Sequence, residues 1–185
     1  MSPQPQTPAA VQTVLYVWHR VECWVAVICF SFIAIVLGID VVGRELYGPV
    51  MRAIGLEVGA TGLFGSQKLA IFALVIGSYA GIGIATATGV HLLPRVGFNW
   101  VPAHWGPNMD RLADVVTGVF LLGVAYYGVI FVMDSKDSGV LASVINVSAW
   151  PIQMAIPVGF VSAALRYFIF AKWPDQRPLP PAFQE

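Results

Sequence analysis

The sequence predicts an all-α integral membrane protein with four transmembrane helices, both termini in the cytoplasm and disordered tails. Three observations lead there. The 185-residue chain is 57% hydrophobic and only 11% charged, with a mean hydropathy of +0.74, whereas soluble domains carry about 25% charged residues. Its apolar residues gather into four runs, each long enough for the ~20 helical residues that cross a hydrocarbon core of ~30 Å. The runs are continuously apolar and do not alternate, which disfavours a β-barrel.

The N-terminal MSPQPQTPAA is polar, rich in proline and without the basic start of a secretory signal, so residues 1–15 are expected to be a disordered cytoplasmic tail. The mixed segment VQTVLYVWHRV either extends the first helix into the interface or lies along it. A four-helix membrane domain follows over residues 16–172, with spans at 22–43, 68–91, 114–134 and 148–171. Residues 173–185, WPDQRPLPPAFQE, form the second cytoplasmic tail.

The first run is interrupted only by Asp40 near its far end, and the third is free of charge from residue 115 to 133. In the fourth, Arg166 is close enough to the end to snorkel toward the headgroups. Pro151 falls in a first turn, where its missing N–H is harmless; Pro157 lies deeper and kinks the helix or delays its start. Trp18, Trp24, Trp100, Trp105, Trp150 and Trp173 all fall near span ends, as interfacial tryptophans do.

The second run, within SQKLAIFALVIGSYAGIGIATATGVHLLP, has a small residue at every fourth place: Ala73, Gly77, Gly81, Ala85 and Gly89. On a helix these are expected to form one narrow helix-packing seam that a second helix approaches until backbones touch. Replacing Gly81 by Leu is expected to weaken assembly.

Basic residues set the orientation. With the N-terminus inside, Arg20, Arg95, Arg111, Arg166, Lys172 and Arg177 are cytoplasmic, against Arg44, Arg52, Lys68 and Lys136 outside. A formal net charge of +0 gives no argument for nucleic acid. Partners are expected to be proteins and the surrounding membrane lipids.

Catalytic chemistry finds little purchase. Cys23 and Cys29 lie ~9 Å apart along one helix, beyond disulfide reach, and no Cys or His spacing matches a metal site. No serine or cysteine has an evident base, no glycine loop resembles a phosphate cradle, and no paired carboxylates sit inside the spans. A bis-histidine haem drawn from His19, His91 and His104 is conceivable, but membrane haem ligands usually lie within the apolar spans. The expectation is no enzyme activity, no metal and no cofactor.

Span-edge polar groups remain as candidate subunit or interfacial contacts: Glu22, Asp40, Arg44, Gln67, His91 and Arg166. Asp40 and Arg44, one turn apart, can pair with each other, with a partner's charges or with solvent. Glu22, beside His19 and Arg20, has the same options. Gln67 opens the second span beside Lys68, as a snorkelling anchor would. Span interiors are otherwise bland, whereas a solute route leaves polar side chains or broken helices at the midplane.

Asp40-Val-Val-Gly-Arg44 closing the first span, Gly89-Val90-His91 ending the second, and Trp150-Pro151 followed by Ile156-Pro157-Val158-Gly159-Phe160 and Arg166 form an ordered set. That order resembles the small permease (Q-type) subunit of tripartite ATP-independent periplasmic (TRAP) transporters, across residues 17–171. The family commonly has an acidic residue where this chain has Gln67-Lys68. The resemblance implies a small subunit of a sodium-driven symporter for organic acids in the bacterial inner membrane, scaffolding a large multi-span permease that is served by a periplasmic solute-binding protein. Two other readings fit the residues: a structural accessory subunit of a respiratory or photosynthetic complex, and a small haem- or quinone-binding electron carrier.

Overall fold

A computed structural model describes residues 7–55, 59, 61–89, 106–142 and 146–178. His91, His104, Arg95, Trp100 and Trp105 lie outside the described residues. Among those described, four helices are long and apolar enough to cross a membrane.

The first is much longer than a span. Helix α1, Ala9–Val42, runs through a π-helical turn, Gly43–Tyr47, into α2, Gly48–Ala53. The 45 residues together make a rod of ~68 Å, more than twice the hydrocarbon thickness. Residues 9–15, expected in a disordered tail, are thus helical. Between Pro8 and Gly38 no Gly or Pro interrupts the backbone, so nothing local stops the helix from growing outward once the membrane part has nucleated it.

The π turn has a covalent cause. Pro49, in the first turn of α2, has no N–H for the Glu45 carbonyl, and its ring crowds that turn. The backbone widens, and Gly48 N–H donates to the Gly43 carbonyl five residues back.

Helix α3 spans Ser66–Thr88, with Gly65 and Gly89 flanking it at φ 78° and 71°. Gly89 is therefore the left-handed cap that ends the helix, its N–H donating to the Ala85 carbonyl. The span stops three residues short of the expected 91. Helix α4 covers Gly106–Asp137. A two-residue antiparallel ladder, β1 (Leu141–Ala142) with β2 (Val147–Ser148), leads into α5, Trp150–Gln153, and α6, Ala155–Lys172. The break at Met154 follows from Pro157, which offers no N–H to the Gln153 carbonyl. The late start anticipated for the fourth span is its consequence. Beyond α6, Pro174–Gln176 forms a 3-10 turn, so the beginning of the expected second tail is ordered.

The long helices touch in the order α1, α3, α6, α4. Helix α6 lies within the row, and 44% of the apolar stretch of its span is buried, whereas the span of α1 at the edge buries 11%. Glycines set the approach at each crossing, as expected where dispersion must drive association between helices in lipid. Gly77 of α3 faces Cys29 and Phe30 of α1, where a Cβ would lie 3.1 Å from Cys29 Cβ. Gly159 of α6 faces the Tyr79 backbone of α3, and the Tyr79 and Phe160 rings meet edge-on at 5.6 Å. Gly118 and Gly128 of α4 receive Phe168 and the Ile156–Pro157 corner of the fourth span. Ala163 and Ala164, both fully buried, complete the α6 core.

The five small residues of the second span do not form one seam. The buried positions of α3 are Ser66, Ala70, Ala73, Gly77, Gly83 and Thr86, which begin with alternating steps of four and three. A strict every-fourth row rotates by about 40° per step on a 3.6-residue helix. From Ala73 to Gly89 it turns through about 160° and leaves the contact face. Ala73 and Gly77 are buried, Ala85 is half-buried, Gly81 has open space where a Cβ would be, and Gly89 is outside the helix.

Candidate functional site

The deepest polar cluster joins three helices. Glu22 shares the buried face of α1 with Ala26, and Ser162 and Arg166, one turn apart, share a buried face of α6. Glu22 Oε1 accepts a hydrogen bond from Ser162 Oγ at 2.5 Å, and Oε2 accepts one from Arg166 Nη2 at 2.5 Å. Gly83 of α3 forms the floor, where any Cβ would collide with the Glu22 carboxylate. Trp18, one turn before Glu22, covers the guanidinium with its ring at 5.5 Å.

Arg166 therefore does not snorkel. Its side chain is 2% exposed and turns inward, because a carboxylate, a hydroxyl and an aromatic face await it there and bulk solvent does not. Each charge is costly to desolvate alone, so each holds the other in place. A cleft of about 260 Å³ opens beside the cluster, bordered by Tyr16, His19, Ala87, Arg166, Phe170 and Gln176 among others. The charge of Arg166 is already matched by Glu22.

A second cluster closes the other end of α1. Asp40 Oδ1 accepts the Leu63 N–H at 2.8 Å, while Oδ2 faces Arg44 Nη2 at 3.1 Å. Gly62 lies so close to Asp40 that a Cβ there would sit 2.7 Å from Oδ1. Thr61 packs against Gly43 of the π turn and Gly48 at the start of α2. The carboxylate thus ties the segment entering α3 to α1, and the wide turn makes room for it.

The third cluster joins the segment before α1, the start of α4 and the turn after α6. Arg177 pairs with Asp110 at 2.8 Å and with the buried Asp114, both on α4. Thr7 Oγ1 donates to Asp175 Oδ2 at 2.5 Å, which holds the Asp175 carboxyl below its ordinary range. The turn after α6 so connects the starts of α1 and α4.

Of the residues singled out from sequence, Glu22 meets Arg166 and Asp40 meets Arg44. Gln67 is exposed and joins neither pair, and His91 lies outside the described residues. Ser162, Gly83, Trp18, Asp114 and Arg177 belong to the clusters without having been singled out. A signal existed for one set: Asp110 and Asp114 are spaced one turn apart at the start of the third apolar run. Among the described residues, no three His, Cys, Asp or Glu side chains converge as metal ligands would. These polar groups bind helices to one another.

The chain matches the family described as "Tripartite ATP-independent periplasmic transporters, DctQ component" over residues 33–172. It belongs to the DctQ family of TRAP small permeases. One relative is the ectoine TRAP transporter small permease protein TeaB of Halomonas elongata, 22% identical over 122 residues, which is 66% of this chain and 63% of that protein. No solved structure matches. DctQ proteins are transporter subunits and not an enzyme family. The matched DctQ region takes in Asp40, Gly83 and Arg166, while Trp18, Glu22 and Arg177 lie outside it.

Proposed function

We propose that this chain is the small membrane subunit of a sodium-driven TRAP transporter for organic acids, scaffolding the large transport subunit in a bacterial inner membrane with both termini in the cytoplasm. The large multi-span permease carries the solute and the sodium ions, and a periplasmic solute-binding protein delivers the solute. Family membership supports the subunit assignment.

The observation carrying the scaffolding role is the Glu22–Arg166–Ser162 cluster. It is the most buried charge pair among the described residues, and it spends its hydrogen bonds on joining α1 to α6 over the α3 backbone. Both Glu22 oxygens, the Ser162 hydroxyl and Arg166 Nη2 are committed to joining helices, whereas a solute route needs polar groups left free for cargo.

The test is co-reconstitution of the chain, its large permease and the binding protein in vesicles. Organic acid uptake is expected to follow an imposed sodium gradient, to vanish when potassium replaces sodium, and to fall when this chain is omitted. Uptake that is undiminished without the chain overturns the scaffolding role. Co-purification with pigment or redox subunits in place of a permease overturns the transporter reading.

A further inference from the structure

Helix α4 closes one edge of the row, packed on α6 along one side and uncovered on the other. Its uncovered side carries Tyr126 and Tyr127, 64% and 71% exposed, with ring centroids 5.7 Å apart. Their depth is what makes them informative. Asp114 and Asp134 flank the uncharged run symmetrically about residue 124, so the two tyrosines lie only about 3–4.5 Å along the axis from its middle. With a half-thickness of ~15 Å, roughly 10 Å separates them from the headgroups. A tyrosine side chain does not bridge that distance.

Neither phenol has a hydrogen-bond partner among the described residues. Serine and threonine escape this problem by bonding back to their own helix, as Thr86 does to the Ile82 carbonyl at 2.8 Å. A para-hydroxyl on a rigid ring stands too far from its own backbone. Facing lipid, two hydroxyls would sit in hydrocarbon with no acceptor, a cost that tyrosines usually avoid by residing at the interface.

A second feature on the same side concerns shape. Gly123 has open space where a Cβ would be, and it lies between Phe120, 67% exposed, and Tyr127 on one helical stripe. A glycine facing lipid loses helix propensity for nothing, whereas between two projecting rings it forms a notch in which another helix fits.

We infer that the α4 side bearing Phe120, Gly123, Tyr126 and Tyr127 is the docking surface for a helix of the large permease subunit, which supplies hydrogen-bond acceptors to the two phenols at mid-membrane depth. The inference rests on the proposed function for the identity of the partner. An apolar helix without acceptors would leave the phenols as they are in lipid, so the partner helix carries a polar side chain or an uncovered carbonyl at this depth. Crossing occurs at Gly123.

The test uses the full-length chain in native membranes together with its large permease. A photoreactive benzoyl-phenylalanine replaces Phe120, and adducts are identified by peptide mass spectrometry. In parallel, Tyr126→Phe and Tyr127→Phe remove only the hydroxyls, at exposed positions where the fold of this chain does not depend on them. The expected results are an adduct containing large-permease peptides and a loss of recovered permease of about threefold per hydroxyl, typical of an interhelical hydrogen bond in a membrane. Adducts only with lipid, or only with a second copy of this chain, overturn the inference, as does unchanged permease recovery in the double Phe variant. If the permease still co-purifies in those cases, the transporter reading stands and only the surface is wrong. If no permease co-purifies even with the unaltered chain, both fall.

Discussion

Arg166 donates to Glu22 at 2.5 Å across 144 residues of sequence, and the two charges lock the fourth span to the first near the end where the start of α1 meets the turn after α6. Their energetics are asymmetric. Two desolvated ions stabilise a fold little compared with well-packed apolar residues, yet removing one abandons the other in a medium that solvates it poorly.

Glu22→Ala should therefore destabilise the detergent-solubilised protein by about 3–5 kcal/mol. The double variant Glu22→Leu with Arg166→Leu should cost much less than the sum of the single changes, because no charge is left behind. A double-mutant cycle by thermal or denaturant melting gives the coupling. Additive losses would show that the two residues act separately. Arg166→Lys should not restore stability, since an ammonium lacks the planar face that lies against Trp18.

Gly83 and Gly81 make a paired contrast on α3. A Cβ at Gly83 meets the Glu22 carboxylate, while one at Gly81 meets nothing. Gly83→Ala should weaken the fold by 1–3 kcal/mol, about the cost of overpacking a core. Gly81→Ala should be neutral or stabilise by up to ~1 kcal/mol from helix propensity. Denaturation of the two variants side by side decides the matter, and equal effects would contradict the placement of α3.

Those glycines also mark how far the sequence could be read. Four spans were legible because apolar length is a one-dimensional property, and the Pro157 break because proline acts on its own backbone. The limits of the helices were not, since hydropathy marks the hydrocarbon and not the helix. The rod from Ala9 to Ala53 exceeds its apolar part at both ends. Asp40 and Arg44 were legible as a pair, being one turn apart. The Arg166 partner was hidden, because Glu22 is brought to it only by tertiary packing, and a lone arginine near a span end reads as a snorkelling group. The five-residue seam misled because equal spacing in sequence is not equal direction on a helix.

Asp40 should act chiefly through its hydrogen bond. Arg44 is half exposed in the pair, where an ion pair contributes about 0–1 kcal/mol, whereas the Leu63 amide depends on the carboxylate oxygen for its acceptor. Asp40→Asn should keep the Leu63 amide slow in hydrogen exchange, and Asp40→Ala should expose it. Arg44→Gln should change little. Rapid exchange in Asp40→Asn would show that the charge governs the segment.

Asp175 should respond to acid through Thr7. The hydroxyl hydrogen bond is the main cause that lowers its carboxyl from the ordinary 3.8. A carboxyl depressed in the folded state contributes stability above its unfolded value, and that contribution is lost as pH falls through the folded value. The contact between the start of α1 and the turn after α6 should therefore loosen only below about pH 4. Thr7→Val should raise the Asp175 midpoint toward 3.8 in a carbon-13 titration. An unshifted midpoint would mean that the hydroxyl is not what holds it.

Arg177 should prove structural although it lies in a proline-rich terminal segment. Its guanidinium bridges Asp110 and Asp114, and Asp114 is 1% exposed at the start of α4. Arg177→Ala removes its charge-assisted hydrogen bond to a buried carboxylate, which typically costs about 1.5–3 kcal/mol. Arg177→Lys should recover only part, because a single ammonium replaces a fork that reaches both carboxylates at once. Melting of the two variants tests the order of effects. A stable Arg177→Ala protein would place the residue among surface ion pairs, and the clasp joining α6 to α4 would then rest on packing alone.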